Sequence, residues 1–516
     1  MSPEEQHPII IHPGLDGEVT DADPQWIERG PDRRVYVTAA SEAPSPAPEE
    51  LAAPESPKRA FSLDALRGLF LISMTLGFTI SRHDFPLWMY HRQLPPPNET
   101  LVAIPGISWR DLAYGAFLFT MSAALPLTLS RRIEKGETEI AIIVAMLRRY
   151  ALLLLFALLV AHSNPFFLGY TNTARVLAIS GFAIMTLVYT RRRPDWDAKL
   201  YRVWNRAGYA LAVAFLAFTP LLYGKAFSFD RIDGIISGLA VASLTGSIVW
   251  YFTRENLVAR LGVLAVAIAL YLGAKGDGWI QSWWYSSPFS WAFEPSQLVL
   301  LTIVIPGTIA GDTILRWMRS RPVDSIGRAW SRGRVVQLSV LGVALTPIVV
   351  FGLYNRYVEL TTEIVIALVA AGVVLTWKPF TPTERMLRTI FTWAAVWLVI
   401  GLLLDPFEGG IKKEPDTLSY YFTIAGLTTM LLVTLSAVID VFKRRQIANV
   451  LIDVGHNPLL TYVLFTVLIN SIIELTPFRD VLNASPGEAI LRSVIEVVLV
   501  VAIVRAVSRR RIYWRT

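Results

Sequence analysis

The chain has 516 residues, of which 53% are hydrophobic and 17% charged, with a net charge of +7 and no cysteine. Soluble globular domains carry about 25% charged residues, so an ordinary soluble protein is excluded, and the missing cysteine excludes disulfides, thiolate catalysis and cysteine-ligated zinc. Basic loops beside membrane spans explain the positive charge better than a nucleic-acid partner does. We therefore predict the lipid bilayer as the chain's environment and no nucleic acid as a partner.

The first segment of the chain is polar. Residues 1–60 are rich in proline, glutamate and alanine, as in the run from Pro44 to Glu50. A segment of this composition cannot bury enough apolar surface to fold. The sequence therefore predicts a disordered cytoplasmic tail over 1–60, followed by a transmembrane domain over 61–516.

Long apolar runs follow this tail. Each is about as long as a helix must be to cross a hydrocarbon core of roughly 30 Å. The runs predict an all-α, polytopic membrane bundle of about fourteen transmembrane helices, within a range of 12–14. The predicted spans cover residues 62–80, 111–130, 143–162, 174–190, 207–223, 233–251, 257–273, 297–316, 335–354, 360–377, 386–404, 418–441, 452–475 and 488–507.

The basic residues of the loops predict the orientation. Basic residues recur in alternate loops and in the C-terminal tail, at Arg131-Arg132, 191–193, from Arg316 to Arg334, 443–445 and 509–511. Lysine and arginine accumulate on the cytoplasmic side of membrane proteins. We therefore expect both termini in the cytoplasm and the chain in the cytoplasmic (inner) membrane.

Two loops on the predicted outer side carry candidate functional residues. Residues 81–110 contain His83 and His91, and residues 274–296 contain the tryptophans Trp279, Trp283, Trp284 and Trp291. Such tryptophans commonly form an interfacial belt, and a sugar-stacking platform is the alternative.

Ionisable residues within or beside spans are costly and are therefore functional candidates. The set is Asp64, Arg67, Asp111, Arg148, Arg149, His162, Arg175, Asp312, Asp440, Asp453 and His456. Near span ends, snorkelling or a hydrated carboxylate is the simpler interpretation. Asp64 and Arg67 share a helix face, which fits a local ion pair as well as a ligand site.

His91 differs because it lies in a loop rather than on an apolar helix face. Histidine titrates near neutral pH and is the commonest general base. The histidine spacings match no compact zinc pattern, and we predict no metal. The sequence also contains no phosphate-binding Walker loop, no GxSxG motif and no HExxH motif. ATP-driven transport and soluble-type hydrolase chemistry are therefore disfavoured.

Several segments, in order and spacing, resemble membrane acyltransferases related to heparan-α-glucosaminide N-acetyltransferase. The first is FSLDALRGL at 61–69, and the next is WRDL at 109–112 followed by FLFTM at 117–121. The remaining segments are Pro126-Leu127, Asn164-Pro165, Leu168-Gly169, Glu294-Pro295 with Gly307 and Gly311, Lys412-Lys413 to Tyr420, 438–440, Asn457-Pro458 with Tyr462, and 510–515. Together they span most of 61–516 except about 195–280.

The resemblance implies transfer of an acetyl group from cytoplasmic acetyl-CoA to a glycan or amino-sugar acceptor on the outer face, by N- or O-acetylation. The implied catalytic residues are His91 as base or acyl carrier, Asp111 orienting it, and Asn457 or Asn164 polarising the thioester. The implied cofactor-binding residues are Arg67, Arg131, Arg132, Arg148 and Arg149, which would hold the phosphates. An insertion containing Pro95 to Pro97 separates His91 from Asp111 by twenty positions, about ten more than in the family.

Two other functions remain open from the sequence. A secondary transporter would also need many helices with internal glycine and proline, but would predict an internal repeat, and none is clear in the sequence. The second is an acyltransferase scaffold that has lost its activity. The sequence leaves the acceptor, an acetyl-histidine intermediate and the oligomeric state open, with a homodimer as one alternative.

The predicted orientation can be tested by topology mapping. Reporter fusions at Arg132, Arg192 and Arg445 should score as cytoplasmic, and fusions near Pro96 and Lys412 as external, because the basic loops stay inside. An external reporter at Arg132 would reverse the sidedness of the whole chain.

Overall fold

The computed structural model describes two units of the chain. The described residues are 27–28, 34–35, 60–80, 85–98, 100–223, 227–320, 329–482 and 485–516. The first unit is Met1–Glu55, in which the strands β1 (Ile27–Glu28) and β2 (Arg34–Val35) pair antiparallel. Most of the predicted disordered tail lies outside the described residues, so that expectation stays a prediction.

The second unit, Ser56–Thr516, is helical. Its helices are α1 (Phe61–Thr79), α2 (Leu112–Glu134), α3 (Glu139–Ser163), α4 (Pro165–Leu168), α5 (Asn172–Tyr189), α6 (Ala198–Tyr223), α7 (Gly234–Thr253), α8 (Leu257–Gly273), α9 (Trp279–Trp284), α10 (Leu301–Arg319), α11 (Arg332–Tyr354), α12 (Val358–Leu375), α13 (Pro382–Leu404), α14 (Leu418–Ser436), α15 (Arg445–Gly455), α16 (Pro458–Val463), α17 (Ile469–Glu474), α18 (Phe478–Val481) and α19 (Pro486–Arg509). Short π-helical segments follow α14 and α16.

The all-helical prediction is confirmed, whereas the count of fourteen spans is not. Ten helices in the described part of the chain are long and apolar enough to cross a membrane. The segments Arg445–Gly455 and Pro458–Glu474 meet at a 72° bend and make an eleventh if they form one span. Helices also lie over the other three predicted spans, at α6, α8 and α19. Of these, α8 has only 17 residues.

Burial separates central helices from peripheral ones. In the apolar segments around α10 and α14, 83% of the residues are buried inside the protein, against 17% in α12. A helix that is apolar on every side needs either protein or lipid around it. We conclude that α2, α10 and α14 form the centre and that α12 faces outward.

Two glycines let α1 and α15 cross with their backbones in contact. A Cβ atom on Gly68 would lie 1.9 Å from the carbonyl oxygen of Leu451, and one on Gly455 would lie 1.9 Å from that of Asp64. Glycine is therefore required at both positions, because any side chain would collide with the facing backbone. The close crossing of α1 and α15 therefore explains why position 68 of the first helix is a glycine.

We expect Gly68→Ala to destabilise the protein, because the added methyl group must separate the two helices. Overpacking typically costs about 1–3 kcal/mol, so the thermal midpoint of the purified protein should fall. The matched control is Gly262→Ala in α8, where an added Cβ meets no atom within 4 Å. An equal effect of the two substitutions would contradict a tight crossing.

Candidate functional site

A large cavity opens at the end of the bundle where α1 ends and α2 begins. Its volume is about 1640 Å³, and its wall combines aromatic with charged side chains. It is lined by the C-terminal ends of α1, α8 and α17, the N-terminal ends of α2, α5, α7 and α14, and the loop before α14. Such a concave site with converging polar groups is the usual place for a ligand.

His91 and Asp111 meet in the wall of this cavity. The Nδ1 atom of His91 lies 2.6 Å from Oδ1 of Asp111, and both residues are buried. A carboxylate on one ring nitrogen fixes the imidazole tautomer and leaves the other nitrogen for a second partner. The structure thus brings together the two residues that the sequence selected as base and orienting group.

The long loop between His91 and Asp111 closes on itself. The Asp111 carboxylate accepts hydrogen bonds from the backbone nitrogens of Ser108 (2.8 Å) and Arg92 (3.2 Å), and Gln93 Nε2 donates to the carbonyl of Gly106 at 2.9 Å. The inserted residues therefore bulge away, while the two ends of the loop stay side by side.

A second carboxylate, Glu414, lies on the other side of the imidazole. Its Oε1 atom is 3.5 Å from His91 Nε2 and 3.2 Å from Lys413 Nζ. Sequence reasoning missed Glu414, although it directly follows the Lys412-Lys413 pair that carries part of the resemblance. The loop reaches His91 because the Lys413 backbone nitrogen donates to Gln93 Oε1 at 3.3 Å.

The two carboxylates set the protonation of His91. Burial by itself lowers the pKa of His91, but the contacts with Asp111 and Glu414 outweigh it and raise the pKa above its ordinary value. The His91 contact, followed by the positive charge of Lys413, keeps the pKa of Glu414 at about 2 despite partial burial. The imidazole therefore lies close to ionised carboxylates, which favours its cationic form.

Of the two predicted asparagines, the structure brings only Asn164 to the cavity. Asn164 lines it and accepts a hydrogen bond from the backbone of Phe166. Asn457 does not line it and instead holds the C-terminal segment, donating to Ser508 Oγ (2.9 Å) and accepting from Trp514 N (3.0 Å). Its side chain is used to dock the C-terminus, which argues against a role beside His91.

The predicted cofactor-binding arginines separate into two groups at the opposite end of the bundle. Arg149 lies within electrostatic range of Arg67 and Arg515. Arg132 pairs with Glu137 at 2.7 Å. Arg131 and Arg148 are exposed. Arg67 also donates to the carbonyls of Thr120 and Gly455 and pairs with Asp64, so it joins helices besides carrying charge.

The other aromatic and histidine candidates have less to do with the cavity. His83 lies outside the described residues. His162 is buried, with Nδ1 3.0 Å from the Leu158 carbonyl, and stacks on Phe227. Of the four loop tryptophans only Trp284 lines the cavity, whereas Trp279 is exposed. The four tryptophans are therefore not gathered in the cavity wall.

Two intramembrane candidates tie helices together. Asp64 contacts His456 at 3.3 Å at the crossing of α1 and α15. Asp312 pairs with the fully buried Arg260 and accepts a hydrogen bond from Trp250 Nε1 at 2.8 Å. Buried ionic groups need such partners, and these contacts account for both aspartates without a ligand.

Comparison with known proteins identifies one similar family. The family described as "Domain of unknown function (DUF5009)" matches residues 59–314. The similarity covers α1 to most of α10, with His91 and Asp111, and leaves out Glu414. No curated protein matches the chain. Within the described residues, no group of three or more His, Cys, Asp or Glu side chains is arranged to hold a metal ion.

Removing the second carboxylate should lower the pKa of His91. In Glu414→Gln the charge that favours the imidazolium is lost, so His91 should become neutral, and react with diethyl pyrocarbonate, at lower pH than in the wild type. The reaction is followed by mass spectrometry of the His91 peptide across pH.

Glu363→Gln, an exposed site on α12 outside the cavity, is the control for loss of one negative charge. Identical pH midpoints in Glu414→Gln and wild type would show that Glu414 does not act on His91.

Proposed function

We propose that the chain is a transmembrane acyltransferase that moves an acetyl group from cytoplasmic acetyl-CoA to a glycan or amino-sugar acceptor on the outer face. The observation that carries the proposal is the contact of His91 with Asp111 in the wall of a large cavity. This is the arrangement expected of an oriented general base. In the proposed orientation fourteen helices span the inner membrane and both termini are cytoplasmic.

Arginines at the end of the bundle opposite the cavity support a binding site for the phosphates of acetyl-CoA. Arg67 lies near the start of α1, Arg149 in the first half of α3 and Arg515 close to the C-terminus, and Arg149 lies within electrostatic range of the other two. Guanidinium groups bind phosphate through paired, charge-assisted hydrogen bonds. Acetyl-CoA supplies an acetyl thioester whose thiolate is a good leaving group. The proposed route leads from these arginines between the helices to His91.

His91 Nε2 is the atom proposed to move the proton. It takes the proton from the acceptor's amine or hydroxyl as the new C–N or C–O bond forms, and returns it to the departing sulfur as the C–S bond breaks. An acetyl-histidine intermediate is the alternative path. Asp111 stabilises the positively charged imidazole in both reaction paths. Because the base must be neutral, the rate should rise with pH through the raised pKa of His91.

His91→Ala should abolish transfer while the protein still folds and binds coenzyme A. A positioned base contributes roughly 10²- to 10⁴-fold in rate. The measurement is acetyl transfer from labelled acetyl-CoA to a panel of amino sugars and envelope glycans, together with the coenzyme A-induced rise in thermal midpoint.

His162→Ala is the matched control, since His162 does not line the cavity. Full activity in His91→Ala would exclude His91 as the base. Loss of acetyl transfer in His162→Ala but not in His91→Ala would show that the active site lies elsewhere.

One observation favours the runner-up function, a secondary transporter of a small solute. The 72° break between Arg445–Gly455 and Pro458–Glu474 is a discontinuous helix of the kind that transporters use for substrate binding. The two functions differ in their need for the donor. If millimolar coenzyme A neither binds nor shifts the thermal midpoint, the transporter replaces the acyltransferase.

A further inference from the structure

A cluster of arginines lines the same cavity away from His91. The arginine cluster consists of Arg175 of α5, Arg479 of α18 and Arg492 of α19, with Glu474 and Glu496 as their acidic partners. All five residues line the cavity. None of them contacts the His91 group, and the proposed transfer chemistry does not use them.

Glu474 is shared by all three guanidinium groups. Its carboxylate lies 3.0 Å from Arg175, 2.8 Å from Arg492 and 3.5 Å from Arg479. Glu496 accepts from Arg492 at 2.8 Å. Three cations therefore face two carboxylates, and the cluster keeps one net positive charge on the cavity wall.

Arg479 is the cation that the fold needs least. Arg175, Glu474 and Arg492 are largely buried and join α5, α17 and α19, which is a structural role. The Arg479 side chain is 53% exposed and donates no hydrogen bond to the described part of the chain. Asn470, which also lines the cavity, accepts a hydrogen bond from Arg492 through Oδ1, and its Nδ2 atom donates to none of the described residues.

We propose that the arginine cluster binds an anionic group, a carboxylate or a phosphate, on the acceptor. Arg479 supplies the paired guanidinium donors that such anions match, and Asn470 Nδ2 adds a neutral donor. The inference deepens the proposed acyltransferase function and rests on it for the identity of the bound molecule as the acceptor. It assigns the acceptor to the acidic or phosphorylated glycans.

The charges at the two sites predict how the acceptor is oriented in the cavity. Around His91 the imidazole contacts two carboxylates, whereas the arginine cluster is cationic. The imidazole and Lys413 offset the two carboxylates at His91, so an anionic substituent on the glycan is attracted more strongly by the arginine cluster. The uncharged or cationic end of the glycan therefore lies toward His91, where the acetyl group is received.

The test measures binding of sugars to the purified full-length protein by calorimetry, without any acyl donor. Glucuronate and glucose 1-phosphate separate the carboxylate from the phosphate, and glucose is the neutral reference. We expect at least one anionic sugar to bind more tightly than glucose, with affinity falling as salt is added. Arg479→Gln should weaken that binding roughly 10- to 100-fold.

Arg206→Gln, an exposed site on α6 away from the cavity, controls for loss of one positive charge and should leave affinity unchanged. Glu474→Gln should tighten anion binding, whereas a purely structural cluster would lower only the thermal midpoint. Equal affinity for glucose and both anions, or unchanged binding in Arg479→Gln, overturns the inference. Because no acetyl-CoA is present, such failure is separate from failure of acyl transfer.

Discussion

The buried carboxylate of Asp111 organises the candidate site. A buried charge must be met by hydrogen-bond donors, and here Ser108, Arg92 and His91 supply them. Because these donors come from both ends of the loop between α1 and α2, one carboxylate fixes the loop and the imidazole together. The loop in turn positions Glu414, through the hydrogen bond between Gln93 and the Lys413 backbone.

The first helix connects two polar centres at opposite ends of the bundle. Near its start, Asp64 contacts His456, and Gly68 permits the close crossing with α15. Past its end lies His91 in the cavity wall. The FSLDALRGL segment is thus explained by helix packing as well as by charge, since Arg67 bonds to the carbonyls of Thr120 and Gly455. Its guanidinium joins three helices and lies within electrostatic range of Arg149.

The cavity places different charges at different parts of one wall. Carboxylates surround the imidazole, and the shared Glu474 leaves the arginine cluster with positive charge. A polar site between membrane helices is costly to maintain, so its ionisable groups are functional candidates. The pairing with Glu474 and Glu496 lets the buried arginines stay there, whereas Arg479 remains exposed on the cavity wall.

The sequence by itself determined the membrane character, the helical class and the positions of most helices, because apolar length and basic loops are local properties. It also selected His91 and Asp111. Only the tertiary structure decided that these residues touch across twenty positions, since loop closure depends on hydrogen bonds between distant backbone groups. For the same reason Glu414 and the pairing of Arg175 with Glu474 were missed, because His91 and Arg175 lie far from these partners in the chain. An asparagine before a proline looks alike in the sequence whether it faces a ligand or another segment, and only the structure shows that Asn457 bonds the C-terminal segment.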